Sequence, residues 1–254
     1  AGKTPAGWIL GPGGGDNAMA ALGLGAELGD VVMSLGTSGT VFAVTSQPAH
    51  DASGAVAGFA DATGEFLPLV ATLNASRPID AVRTLFGFSW DELAQAVATS
   101  PAGAQGLTVL PFFDGERTPN LPDATGSFFG VTRGNLTPEN MTRAVVEGII
   151  SNLARGVEAI EKHTQPSSRL LLIGGAAQNR GVQQVVAEQV EVPVTIPEPG
   201  EYVAYGAAKQ AAWALTGNKP AWATRSLTRE VDEGPSVARA QFDRLLHQHG
   251  GLSA

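Results

Sequence analysis

Leu170-Leu171-Leu172-Ile173-Gly174-Gly175 is an apolar run that stops on two glycines, and a helical stretch follows over Val182 to Val190. A strand apolar at every position must be buried on both faces, which is what a sheet covered by helices on either side requires. The alternation continues outward. Val192-Pro193-Val194-Thr195-Ile196 reads as another short strand, and Val203 to Leu215 as an alanine-rich helix. Upstream, Thr137-Pro138-Glu139 is a helix start, with a hydroxyl N-cap, proline at the first helical position and an acid in the first turn. From Met141 through Val145, Ile149 and Leu153 to Ile160 the apolar residues recur mostly every four, giving one buried face. His163 is expected to close that helix, where a cation suits the dipole. Val31 to Leu35 and Thr40 to Val44 flank Gly36-Thr37-Ser38-Gly39 as a β-hairpin. Helices are also expected over Pro78 to Phe86 and Trp90 to Thr99. Phe66 to Ala71 and Thr108 to Phe112 are apolar too, but a proline inside each argues against a central strand. Asp123 to Gly126 and Pro197 to Gly200 read as loops. No linker-like segment or repeat divides the chain, so the expectation is one α/β domain over residues 1–254.

The composition narrows the function classes. The 254 residues carry a net charge of −8, with 43% apolar and only 16% charged side chains. That excludes a disordered chain, and the acid excess argues against nucleic acid, whose phosphates need Lys and Arg. Glycine is abundant, at 32 residues, and cysteine is absent. Disulfides, thiol nucleophiles and cysteine-ligated zinc are therefore excluded together. No apolar run is long enough to cross a membrane, and a large uncrosslinked domain fits the cytoplasm. The first residue is not Met, which suggests an internal cut or a processed end.

Three glycine-rich breaks fall where a ligand can approach backbone. Gly13-Gly14-Gly15-Asp16-Asn17 precedes a helical Ala18 to Leu22, and helix amides there favour anions. From the residues alone Asp16 reads first as the N-cap of that helix, and second as a proton acceptor for a bound hydroxyl. Ser34-Leu35-Gly36-Thr37-Ser38-Gly39-Thr40 offers several donors to one phosphate, or is an ordinary hairpin turn. Ile173-Gly174-Gly175-Ala176-Ala177-Gln178-Asn179 leaves an open floor for a flat ring, or serves close helix–strand packing; a branched residue at Gly175 would fill that floor, and would strain the turn if Gly175 needs a positive φ. Neither a Walker lysine motif nor G-x-G-x-x-G occurs. His50, His247 and His249 receive no catalytic role. Glu116-Arg117 is expected to form a local ion pair that stiffens its loop, and Trp8, Trp90, Trp213 and Trp222 are expected to pack.

In this order the motifs resemble the FGGY carbohydrate kinases, most closely those acting on a ketopentose. Gly13-Gly14-Gly15-Asp16-Asn17-Ala18 is similar to the segment bearing that family's catalytic aspartate. Ser34 to Thr40 is similar to its second phosphate hairpin, and Gly174-Gly175-Ala176 with Asn179 to its adenosine-binding turn. Leu110-Pro111-Phe112 followed by Gly115-Glu116-Arg117-Thr118-Pro119 also matches. So does the long signature of Gly126, Phe128, Gly130-Val131, Asn140-Met141, Ala144-Val145-Val146 and Glu147. The likeness runs from about Gly11 to Gln248.

The resemblance implies a ribonuclease-H-like domain of the actin, hexokinase and Hsp70 ATPase type, with a mixed sheet and helices on both faces. It implies ATP and Mg2+, and phosphorylation of a sugar such as D-xylulose at O5. Other substrates of the family (ribulose, fuculose, gluconate, glycerol) are the alternative, as is a nucleotide-binding module without turnover. Asp16 would take the hydroxyl proton and Asn17 would hydrogen-bond the sugar. Gly36 and Thr37 would hold the transferring phosphate, and Gly174, Gly175, Ala176 and Asn179 would bed the adenosine. The metal ligands are unknown. Such kinases have two halves, the first with an Asp-x-Gly-Thr phosphate loop that this sequence lacks. The chain therefore resembles a C-terminal nucleotide-binding half, with the aspartate segment at its N-terminal edge and the N-terminal domain absent. Partners are a small-molecule sugar and ATP, with a homodimer left open. Two departures stand out: Ala176-Ala177-Gln178 where relatives more often have a third glycine and a serine, and Asn74-Ala75-Ser76-Arg77 in place of a small, glycine-containing run.

Overall fold

A computed structural model describes residues 2–222, 226–229 and 236–249. In chain order its elements are β1 (Gly2–Lys3), β2 (Ile9–Leu10), α1 (Asp16–Leu24), β3 (Asp30–Leu35), β4 (Gly39–Ala43), β5 (Leu69–Thr72), α2 (Ser76–Leu85) and α3 (Trp90–Thr99). Then come β6 (Thr108–Leu110), β7 (Ser127–Phe129), α4 (Pro138–Glu161), β8 (Arg169–Ile173), α5 (Arg180–Ala187), β9 (Val194–Pro197), α6 (Tyr202–Thr216), β10 (Ser226–Arg229) and α7 (Val237–His249). The central sheet has six strands in the order β10-β9-β8-β3-β4-β5. It is mixed: β8 runs parallel to β3 and β9, while β3–β4, β4–β5 and β9–β10 are antiparallel.

Strand alternation sorts the side chains. Val31, Met33 and Leu35 of β3 join Leu170 and Leu172 of β8 in one large core with α4 and α5. Val32 and Leu171 point the other way, into a smaller core with Ala18, Ala20, Ala21 and Leu24 of α1. Helices thus cover both faces, as the apolar Leu170 to Ile173 requires.

The expected elements are present with small shifts. The Thr137 hydroxyl accepts from the Asn140 amide at 3.3 Å and caps α4. That helix ends at Glu161, with Lys162 as its C-cap, so His163 lies just beyond it. α5 starts at Arg180, where Asn179 caps it, and ends at Ala187 rather than Val190. Pro197, expected in a loop, closes β9. β5 is an edge strand and β6 pairs only with β7, so the proline argument about both runs holds. α7 carries no sequence signal strong enough to have been read. Its Phe242 and Leu246 are buried against Leu110 and Phe112.

A buried ionic cluster joins the helices under α4. The Arg143 guanidinium donates to Glu147 at 2.7 Å, to the Val97 and Ser100 carbonyls at 3.0 and 3.1 Å, and to Glu188. Glu147 also accepts from the Gly103 amide at 2.9 Å. Burial pushes the Glu147 carboxyl up to about 7, against the pull of Arg143. Two expectations are corrected. The Glu116 carboxylate, buried, accepts from the backbone amides of Leu73 and Arg117 at 2.6 and 2.7 Å and from the Asn74 side chain at 3.1 Å, rather than pairing with the Arg117 guanidinium. Nor do the tryptophans all pack: Trp8 is 72% exposed, and Trp90 and Trp222 are also exposed.

Candidate functional site

A cleft of about 690 Å³ opens at the end of β8, and it gathers motifs far apart in sequence. Asp16 and Asn17 line it from the start of α1, Gly36 and Thr37 from the hairpin between β3 and β4, and Gly174 and Gly175 from the end of β8. The Pro197 to Tyr202 segment lines it as well. Beside it lies a second cleft of about 650 Å³, lined by Trp90, Asp91, Asn179 and Arg180. Gly175 and Gln178 border both.

Gly15, not Asp16, is the N-cap of α1, and no side chain bonds there. Asp16 is already helical, exposed, and its Oδ1 accepts from the Asn17 backbone and side-chain amides at 2.8 and 3.2 Å. The capping role is therefore excluded, and the carboxylate stays at the cleft edge. An acid in the first turn is favourable in any case.

The glycines divide the work at the end of β8. Gly174 has φ +104°, and a Cβ there would sit 2.5 Å from the Leu35 carbonyl carbon and oxygen. Only glycine admits that approach of β8 to the hairpin. Gly175 is the other case. It has φ −61° and open space around a would-be Cβ, so the strain expected at Gly175 belongs to Gly174 instead. An uncovered Gly175 between two clefts is a cradle that fits a nucleotide passing from one into the other.

Asn179 is committed locally. Its Oδ1 accepts from the Gly181 and Val182 amides at 2.9 and 3.3 Å, and its Nδ2 donates to the Trp90 carbonyl at 2.7 Å. It holds α3 against the start of α5 and shapes the second cleft. Ala176 is buried and is not among the residues lining either cleft. Arg77 is turned away to Asp114 at 3.5 Å, and the Ser76 amide donates to the Gly36 carbonyl at 3.1 Å, bracing the hairpin turn. Among the described residues, no group of three or more His, Asp or Glu stands ready to hold a metal ion.

Sequence reading gave no site role to the Pro197 to Tyr202 segment or to Trp90. A proline-glycine loop and a lone aromatic carry no signal until the fold brings them to the cleft.

The profile of the FGGY family of carbohydrate kinases, C-terminal domain, matches residues 31–215. The chain belongs to that family. A xylulose kinase of Streptomyces rubiginosus is 43% identical over 238 residues, covering 93% of this chain and 47% of the relative. A gluconokinase of Bacillus licheniformis is 30% identical over 210 residues, covering 77% and 41%. Among solved structures, the xylulose kinase from Bifidobacterium adolescentis superposes with a TM-score of 0.84 at 46% identity, over 92% of this chain and 47% of that one. The Plasmodium falciparum glycerol kinase with ADP superposes at 0.80 and 14% identity, over 94% and 51%, a likeness of fold alone. The fold is the actin and hexokinase type that FGGY kinases share. The chain spans about half the length of the curated relatives it matches. Asp16 and Asn17 precede the first residue matched by the family profile. No described helix is long and apolar enough to cross a membrane.

Proposed function

We propose that this chain is the C-terminal nucleotide-binding domain, with the aspartate segment at its edge, of a kinase of about twice its length. The reaction moves the γ-phosphoryl group of ATP to a primary hydroxyl of a ketopentose, D-xylulose at O5. The observation that carries this reading is the single cleft shared by Asp16, the Gly36-Thr37 turn and Gly174-Gly175. Phosphoryl transfer asks a protein for positioning and charge neutralisation more than for covalent chemistry. The Asp16 carboxylate accepts the sugar hydroxyl proton as that oxygen bonds to the γ-phosphorus and the bond to the leaving ADP oxygen breaks. Asn17 hydrogen-bonds the sugar, and the Gly36 amide and Thr37 hydroxyl hold the phosphoryl oxygens. Gly175 admits the nucleotide, while Asn179 supports its bed through α3 and α5. Magnesium, when bound with ATP, neutralises phosphate charge. The gluconokinase relative favours a second reading, in which another sugar or polyol takes the place of D-xylulose.

The test is sugar-dependent ADP release by the full-length kinase with D-xylulose, ribulose, fuculose, gluconate and glycerol. D-xylulose is expected to give the highest kcat/KM. Asp16→Asn is expected to lower kcat by about 10² to 10⁴ with ADP affinity kept, the range ascribed to a general base. Wild-type turnover in that variant would remove Asp16 from the chemistry, and preference for gluconate would install the second reading.

A further inference from the structure

Among the described residues the Asp16 carboxylate hydrogen-bonds only to its neighbour Asn17, so its position is set by the first turn of α1 and by the backbone that leads into it. That backbone is Gly11-Pro12-Gly13-Gly14-Gly15, a segment with little stiffness of its own. Something outside must hold it. Gln210 does so from α6, 197 residues later in the chain. Its Oε1 accepts from the Gly13 amide at 2.9 Å, and its Nε2 donates to the Gly13 carbonyl at 3.0 Å. One side-chain amide thereby pairs both polar groups of a single residue, as a neighbouring strand would. The opposite orientation of the amide would set donor against donor. Among the described residues no other side chain hydrogen-bonds to residues 11–15.

The arm that carries Gln210 is itself locked. A Cβ on Gly206 would lie 1.8 Å from the Met19 carbonyl oxygen, and one on Gly23 would lie 2.1 Å from that of Tyr202, so α1 and α6 meet backbone to backbone. Lys209, beside Gln210, donates to the Leu22 and Gly23 carbonyls at 3.2 and 2.9 Å, satisfying the last turn of α1. The start of α6 follows the Pro197 to Glu201 segment, which also lines the cleft. A single helix therefore runs from the lining of the cleft to the glycine loop that leads into α1.

We infer that Gln210 is the positioning residue for the Asp16 carboxylate, acting through the Gly13 peptide. This rests on the reading of Asp16 as proton acceptor. The side chain touches no substrate. It sets where the carboxylate stands, and so affects the chemical step more than nucleotide binding.

The experiment compares Gln210→Met, which keeps length and loses both hydrogen bonds, with Gln210→Glu, which keeps an acceptor for the Gly13 amide and loses the donor. Both are made in the full-length kinase and assayed with the sugar turned over fastest, alongside Asp16→Asn. Hydrogen exchange across residues 11–15 is followed in the same proteins. Gln210→Met is expected to lower kcat by about tenfold or more, to leave KM for ATP and the ADP affinity within about twofold, and to speed exchange at Gly13. Gln210→Glu is expected to fall between it and wild type, and serves alone if the Met variant does not fold. Wild-type kcat in the Gln210 variants with an inactive Asp16→Asn overturns the inference and leaves the base reading intact. Equal losses in kcat and nucleotide affinity overturn it too, because a general distortion would then suffice. An active Asp16→Asn instead removes the reading on which the inference rests.

Discussion

On one face of the sheet, α4 buries Val145, Ile149 and Leu153 among side chains from β3, β4 and β8. On the other, α1 and α6 meet through Gly23 and Gly206 with no side chain between them. The first face is held by apolar volume around one ionic cluster. The second core is smaller, and α1 contributes mainly alanines to it, Ala18, Ala20 and Ala21. What it gains is close approach, which leaves two helices almost no freedom to slide. A face built for stability can yield by a few tenths of an ångström without functional loss, whereas a face that sets the position of Asp16 cannot. The contrast explains why the candidate base stands on the thin side of the molecule.

Breaking the α4 face at its charges is expected to have the largest effect. Arg143→Met leaves Glu147 buried without its cation, and loss of one partner of such a pair costs about 3–5 kcal/mol. Burial already raises the Glu147 carboxyl from 4.5 to about 7. The folded state therefore holds a proton that the unfolded chain has released, and this group's contribution falls as pH rises from 4.5 through about 7. Removing Arg143 steepens that fall, so urea melts of the variant should show a larger deficit at pH 8 than at pH 6.

A single added methyl on the other face comes next. Gly206→Ala has to push α1 and α6 apart, at an expected cost of about 3 kcal/mol, measurable in the same melts. A cost below about 1 kcal/mol would contradict backbone contact as the organising feature of that face. Gly175→Val, in open space and in ordinary helical φ, should leave stability nearly unchanged and weaken ADP binding about tenfold, or about 1.4 kcal/mol by calorimetry. The smallest effect is expected for Ile149→Val on the α4 face, about 1 kcal/mol for one methyl removed. A methyl lost where volume rules should thus matter less than a methyl gained where approach rules.

Legibility followed the range of the forces involved. α4 was readable because Thr137, Pro138 and the four-residue apolar spacing act within a few residues of one another. The β3–β4 hairpin was readable for the same reason, as was the strand from Leu170 to Ile173. The candidate site was half readable. Asp16, Thr37 and Gly175 stand out as residues, but residue type alone makes Asp16 a cap, whereas the course of the chain into α1 gives that position to Gly15. Asn179 reads as a ligand contact; in the structure it lines the second cleft while it also caps α5 and donates to the Trp90 carbonyl.

The sequence by itself determined the α/β class, the covered sheet, the three glycine breaks and the family they resemble. Each depends on spacing or on residue types within a short window. Only the tertiary structure decided that the breaks share one cleft, that Gly174 rather than Gly175 carries the positive φ, and that Glu116 serves the distant Leu73 amide and Asn74 side chain. It alone placed Gln210 against Gly13. The physical reason is that these depend on contacts between groups tens to hundreds of residues apart along the chain. A glutamine in an alanine-rich helix has no periodic or compositional mark until packing places it against a peptide it can pair.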